Sequence, residues 1–383
     1  MTMTAARTEP TLPVSRAEAL LASYRRAGYA RAEPAILQPA EPFLDLSGED
    51  IRNNLYLTTD AAGAELCLRP DLTIPVARDY LASARAGQNA GFCYLGPVFR
   101  YRGAAGRCEF LQAGVESFGR ADRTAADAEM LALGLEATAA FGIGATEIRA
   151  GDVALFAALT EALKLSPAWK RRLAKDFNRK ISLAQDLDRM TLTVAAQRPE
   201  YEGVLAALAG SDRKAALALV TDLMSIAGAS NVGGRTVAEI ADRFLEQSTL
   251  GGGTLPAETR MLIERFLAIA GDPGETLAQL RGLAADARLD LAAALDQFEN
   301  RIGLMTAHGI EVGAIRFATA FGRGLDYYTG FEFEIAAAGN GAEPLVAGGR
   351  YDGLMTRLGA REPIAAVGFA VWIDELAKMG KAP

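Results

Sequence analysis

Histidine is nearly missing from this sequence: its 383 residues contain one, His308. A two-histidine metal site is therefore excluded, and imidazole acid–base chemistry would rest on a single residue. That residue lies in AHGIEV, which reads as an ordinary helix end or loop. Cysteine is scarce too. Cys67, Cys93 and Cys108 share no CxxC spacing, so buried thiols in a reducing compartment are expected, with no metal site. No run of roughly 18 or more apolar residues occurs, so no membrane span is expected. The first residues, MTMTAARTEPTLPVSRAEALL, lack the unbroken apolar stretch of a secretory signal. Positive charge is not in excess: 40 Lys and Arg against 47 Asp and Glu give −7. The chain has no global attraction for phosphate backbones. The expectation is a cytoplasmic protein without metal, cofactor, membrane or nucleic-acid partner.

What is present is a large hydrophobic fraction, 50%, on a length that gives roughly two to three domains. Residues 15–29 read as an amphipathic helix, 64–69 as a short strand and 73–88 as a helix. Two strand-like runs, 91–102 and 108–119, flank a Gly-rich loop and predict a β-hairpin. Thr124 and Asp127 have capping-box spacing for a helix over 125–141. Ala/Leu/Arg/Glu stretches with helical spacing then dominate, and residues 168–262 read as a helical insertion with a turn at 249–256. Strands return at 314–318 and 331–337, and AVGFAVWIDELAKM reads as a strand entering a terminal helix. Strands on both sides of a helical block predict an α+β fold: an antiparallel sheet flanked by helices, in a discontinuous core of 1–167 plus 263–383.

The segments LRPDLT (68–73), GPVFRYR…FLQAGVESFG (96–119), RGLDYYTG (323–330), GGRYDGL (348–354) and VGFAVWIDEL (367–376) occur in one order. Together they resemble the histidyl-tRNA synthetase core, a class II synthetase fold, over roughly 15–380. The resemblance implies a pocket for free histidine. Asp71 and Thr73 fall where the family contacts the α-amino group, and Arg100 and Gln112 near the carboxylate. Glu116 and Tyr328 fall where it holds the imidazole, beside Tyr327, and Arg323 matches an arginine that approaches the carboxylate. Asp71 departs from the family's usual Glu by one methylene. Plainer roles stay open: an Arg100–Glu116 ion pair across two strands, Asp71 and Thr73 as helix caps, Tyr327 and Tyr328 as core aromatics.

The ATP side departs from the synthetase pattern. Motif 2 normally reads Phe-Arg-x-Glu; here Phe99-Arg100-Tyr101-Arg102 replaces the acceptor with a cation. Motif 3 normally ends Glu-Arg-Leu; here Asp374-Glu375-Leu376 puts a carboxylate where phosphate would bind. Phosphoryl chemistry needs cationic stabilisation, so adenylation is not expected. Seven residues follow Leu376, where a full synthetase would continue into an anticodon-binding domain of roughly 100 residues. A synthetase-like core with a histidine pocket and a damaged ATP site resembles the regulatory subunits of ATP phosphoribosyltransferase. That resemblance implies no catalysis by this chain and a dimer that partners the short catalytic subunit. It also implies histidine feedback on the first step of histidine biosynthesis. An active histidyl-tRNA synthetase-like ligase and a free-standing histidine sensor are the alternatives.

Overall fold

The computed structural model describes residues 13–46, 51, 53–102, 106, 108–177, 215, 217–219, 221–222, 255–325, 327–339 and 344–380. The chain divides into two compact units, Met1–Ala158 with Phe266–Pro383, and Leu159–Arg265. Most of the expected insertion, with its turn at 249–256, and most of the loop between the hairpin strands lie outside the described residues.

The strands are β1 (Ala30–Arg31), β2 (Leu37–Pro39), β3 (Tyr56–Thr59), β4 (Glu65–Leu68), β5 (Ala90–Phe99) and β6 (Glu109–Phe118). They continue with β7 (Thr146–Asp152), β8 (Ala270–Gly271), β9 (Ile315–Ala318), β10 (Phe331–Ala337), β11 (Val346–Arg350) and β12 (Ala366–Trp372). The helices are α1 (Pro13–Arg26), α2 (Glu41–Leu46), α3 (Thr73–Ala82), α4 (Arg123–Ala140), α5 (Val153–Ala162) and α6 (Pro167–Phe177). After them come α7 (Ala257–Leu267), α8 (Pro273–Ala287), α9 (Ala292–Ala307), α10 (Asp352–Arg357) and α11 (Ile373–Met379).

Nine strands form one sheet in the order β1-β5-β6-β12-β11-β10-β7-β9-β8, and β2-β4-β3 form a second. From β5 through β7 every neighbouring pair is antiparallel, as the sequence predicts. One correction applies at the flanks. β1 pairs with β5, and β9 with β7, in parallel, so the large sheet is mixed. Each of these pairs is joined by a long stretch of chain, which a parallel return requires.

The sheet's two faces are sorted by the pleat. A Cβ built on Gly134 of α4 would lie 3.2–3.4 Å from Ile335, Val346 and Phe333, so these side chains face α4. Their neighbours Glu332 and Glu334 consequently point to the opposite face. That second face carries a core of Phe43, Leu72, Ile74, Tyr80, Tyr94 and Leu354, among others.

Asp127 does not cap α4. It is buried, accepting from Arg301 Nε at 3.0 Å and Arg350 Nε at 2.8 Å. Arg301 also donates to Asp152 at 2.7 Å, and Arg350 to Asp352 at 2.9 Å. Thr124 accepts from Asn300 at 2.8 Å instead of closing a capping box. The network binds α4, α9, β7 and β11 through desolvated charges that are all paired.

Candidate functional site

The loop Arg69–Leu72 enters α3 and is clamped from three directions. Arg69 donates through Nε to Pro97 O at 2.9 Å and through its guanidinium to Pro34 O. Arg100 Nε donates to Pro70 O at 2.8 Å. Gln112 Oε1 accepts from Leu72 N at 3.1 Å. Arg100 and Gln112 thus both fix the segment that carries Asp71. Asp71 is buried, and its Oδ1 accepts from Ile74 N at 3.2 Å, the capping role that the sequence left open. Its Oδ2 is buried with no hydrogen-bond partner among the described residues. Burial raises the Asp71 carboxyl above its ordinary value, and the Arg100 charge opposes that rise.

Glu116 stands near the C-terminal end of β6 with no exposed surface. Tyr351 donates to its Oε2 and Tyr94 to its Oε1, the latter at 3.2 Å; the Thr73 hydroxyl also bonds it. Burial pushes the carboxyl up to about 8, and the three hydroxyls moderate the shift. No Arg100–Glu116 ion pair forms; Arg100 turns to Pro70 and toward the Asp71 charge.

Glycines open space around this carboxyl. Gly368 of β12 is its register partner, and a Cβ there would lie 2.6 Å from the Glu116 carboxyl carbon. A Cβ on Gly114 would meet the Tyr94 ring carbon Cζ at 2.5 Å. A Cβ on Gly349 of β11 would meet the Tyr328 ring at 3.0 Å. The flat floor lets the tyrosines and the glutamate lie against the strands.

Arg323 donates from Nη1 to Tyr328 at 2.7 Å and pairs through Nε with Glu334 at 3.2 Å. Its backbone N–H donates to Glu332 Oε2 at 3.1 Å. Burial alone would lower the guanidinium, but Tyr328 and Glu334 outweigh it and hold it protonated. Tyr327 and Tyr328 lie with ring centroids 4.9 Å apart, and Tyr327 meets Tyr351 edge-on at 6.0 Å. Burial raises the Tyr328 phenol to about 12.

Asp71, Thr73, Arg100, Glu116 and Tyr327 therefore form one cluster, with Arg323 and Tyr328 on its flank. The arrangement offers buried acceptors, hydroxyls and two guanidinium groups to a small zwitterion.

A histidyl-tRNA synthetase family model matches residues 14–250 and 215–376. An ATP phosphoribosyltransferase regulatory subunit of Brucella melitensis is 41% identical over 379 residues, covering 98% of each chain. Its counterpart in Brucella canis is 42% identical over 347 residues, 90% of this chain and 91% of that one. The chain belongs to the ATP phosphoribosyltransferase regulatory subunit family. Solved structures agree in fold. A Bacillus halodurans protein described as an ATP phosphoribosyltransferase regulatory subunit/histidyl-tRNA synthetase aligns with TM-score 0.65 at 21% identity, covering 97% of this chain and 79% of that one. Histidyl-tRNA synthetase from Nostoc aligns with TM-score 0.60 at 18% identity, covering 96% and 71%.

As a member of that family the chain is a regulatory rather than a catalytic subunit, built on a synthetase-like fold. Arg102, Asp374 and Glu375, where the sequence departs from the synthetase motifs, have local partners. Arg102 stacks 4.6 Å from the Phe110 ring centroid. Asp374 Oδ2 accepts from Leu111 N at 2.8 Å, and Glu375 pairs with Lys378 at 2.6 Å. Three residues of the cluster were not singled out from the sequence: Tyr94, Tyr351 and Glu332. The signal for the first two was their strand or strand-end position near glycines, and for Glu332 its inward place in an alternating strand.

Proposed function

We propose that this chain is the histidine-responsive half of a two-part ATP phosphoribosyltransferase. It joins a short catalytic subunit in the cytoplasm, raises that subunit's activity, and conveys feedback by free histidine held in the Glu116 pocket. Its building block is a homodimer, the arrangement typical of closed, self-complementary interfaces.

The carrying observation is the buried Glu116 carboxyl, ringed by Tyr94, Tyr351 and Thr73 and next to Asp71. An imidazole N–H suits Glu116, an α-ammonium suits the unpartnered Asp71 Oδ2, and Arg100 and Arg323 lie near for a carboxylate. Arg102, whose charge bears on Arg100, and Glu375, paired with Lys378, carry charges opposite to those adenylation would need. Binding without activation is what such a site supports. Coupling of ~1–3 kcal/mol between histidine and the catalytic subunit would change affinities roughly 5–150-fold, and reciprocally.

The test mixes the purified chain with a short phosphoribosyltransferase and follows phosphoribosyl-ATP formation from ATP and phosphoribosyl pyrophosphate, with and without histidine. Activation by the chain and inhibition by histidine are expected, with co-elution on a sizing column. Histidine-dependent ATP–pyrophosphate exchange by the chain alone should stay at background. Equal catalysis without the chain, no complex, or robust exchange would overturn the proposal.

A further inference from the structure

Glu116 and Glu332 lie on one register row of the large sheet. Glu116 pairs with Gly368, Gly368 with Gly349, and Gly349 with Glu332. Directly paired residues share a face, so both glutamates point into the pocket side, three strand spacings or roughly 14 Å apart. Between them the row has no side chain of its own. The Glu116 carboxyl leans over Gly368, and the Tyr328 ring covers Gly349.

Neither carboxyl has a cation to itself. The Glu116 partners are all hydroxyls. Glu332 accepts the backbone N–H of Arg323 on Oε2, while its Oε1 is buried with no partner among the described residues. The Arg323 guanidinium is drawn to Glu334 and Tyr328, and Glu334 is further held by Arg149 at 3.0 Å. Arg100 faces Asp71. The pocket side therefore holds two buried carboxyls with no cation dedicated to either among the described residues.

We propose that Glu332 is a specificity-determining residue: with Glu116 it makes the row select an amino acid with a basic side chain over an isostere that cannot take a proton. This rests on the reading of the pocket as a histidine site and extends it to Glu332, one strand beyond Gly349 on the same row. Burial lifts both carboxyls to about 8, so each holds its proton at neutral pH. The charged groups around Glu332 are Arg323, Asp152 and Glu334. On binding, the O–H proton of a carboxyl passes to the ring nitrogen, leaving carboxylate and imidazolium. The imidazolium charge then favours ionisation of the second carboxyl as well, its proton leaving to solvent, and the two carboxylates together stabilise the buried cation.

The experiment is calorimetric titration of the full chain with histidine and with 1,2,4-triazolylalanine, which matches histidine in shape but has a non-basic ring. The unsubstituted chain should prefer histidine by about tenfold or more. Glu332→Gln keeps an acceptor for Arg323 N and removes the group that can ionise when the ring is charged. It should cut that preference to within about threefold while changing triazolylalanine affinity by less than about threefold. A preserved preference in Glu332→Gln, or equal weakening of both ligands, overturns the role of Glu332 and leaves the histidine pocket standing. No preference in the unsubstituted chain overturns it without any variant. Failure of the unsubstituted chain to bind histidine at all sinks the pocket itself, and the proposal with it.

Discussion

Gly368 of β12 stands directly opposite Glu116 of β6, and the glutamate carboxyl occupies the volume any larger residue at 368 would need. The displaced group would be the buried centre of the pocket, held by Tyr94 and Tyr351. A Cβ at 368 would also lie 2.5 Å from the Val115 carbonyl oxygen, so Gly368→Ala should strain the β6–β12 pairing as well as weaken binding. Overpacking of this kind costs about 1–3 kcal/mol. Histidine affinity should fall by more than tenfold, because the carboxyl must leave its hydroxyl cage. Calorimetry alongside urea unfolding checks this. Unchanged affinity in a folded Gly368→Ala chain would place histidine away from Glu116.

Much of this site was legible in the sequence because its parts lie in short motifs. RPDLT, FLQAGVES and RGLDYY each carry their residues within a few positions. The alternation of FEFEIAA marked a strand with two unlike faces, and the paired apolar runs predicted the β5–β6 hairpin. The rest depended on contacts distant in sequence. Tyr351 reaches Glu116 from 235 residues away, and nothing local distinguishes it from a core aromatic. Asp127 has capping-box spacing after Thr124, yet its partners lie 174 and 223 residues away. A paired guanidinium in a dry core outweighs a surface cap. The strand at 314–318 was legible, but its parallel pairing with β7, and the two-residue β1, were not, because pairing direction is set by partners distant in sequence.

The Asp127 network gives a prediction about stability alone. Removing one partner of a buried ion pair leaves uncompensated charge and costs about 3–5 kcal/mol. After Asp127→Ala, Arg301 would retain Asp152 and Arg350 would retain Asp352. The loss should therefore sit near the lower end, about 3 kcal/mol. Urea unfolding should report it as a lower midpoint with unchanged slope. A change below about 1 kcal/mol would mean that water or the remaining carboxylates satisfy both guanidinium groups.

The raised Glu116 carboxyl makes stability depend on pH with a definite sign. Its folded value is about 8 against an ordinary 4.5, so between these limits the folded chain keeps a proton that the unfolded chain has lost. The folded state then binds more protons than the unfolded one, and stability falls as pH rises. The contribution is complete below about 4.5 and is lost progressively as pH climbs to about 8. The slope for one such group approaches 1.4 kcal/mol per pH unit, on the order of a few kcal/mol across the window. Glu332, raised to about 8 by burial, acts in the same direction. Glu116→Gln replaces the titrating group with one that stays neutral. Urea unfolding of both chains at pH 5, 6, 7 and 8 should place the unsubstituted chain ahead at low pH and narrow or reverse that lead by pH 8. Parallel stability curves would mean that Glu116 has the same proton occupancy folded and unfolded, and that its hydroxyl cage holds a carboxylate throughout.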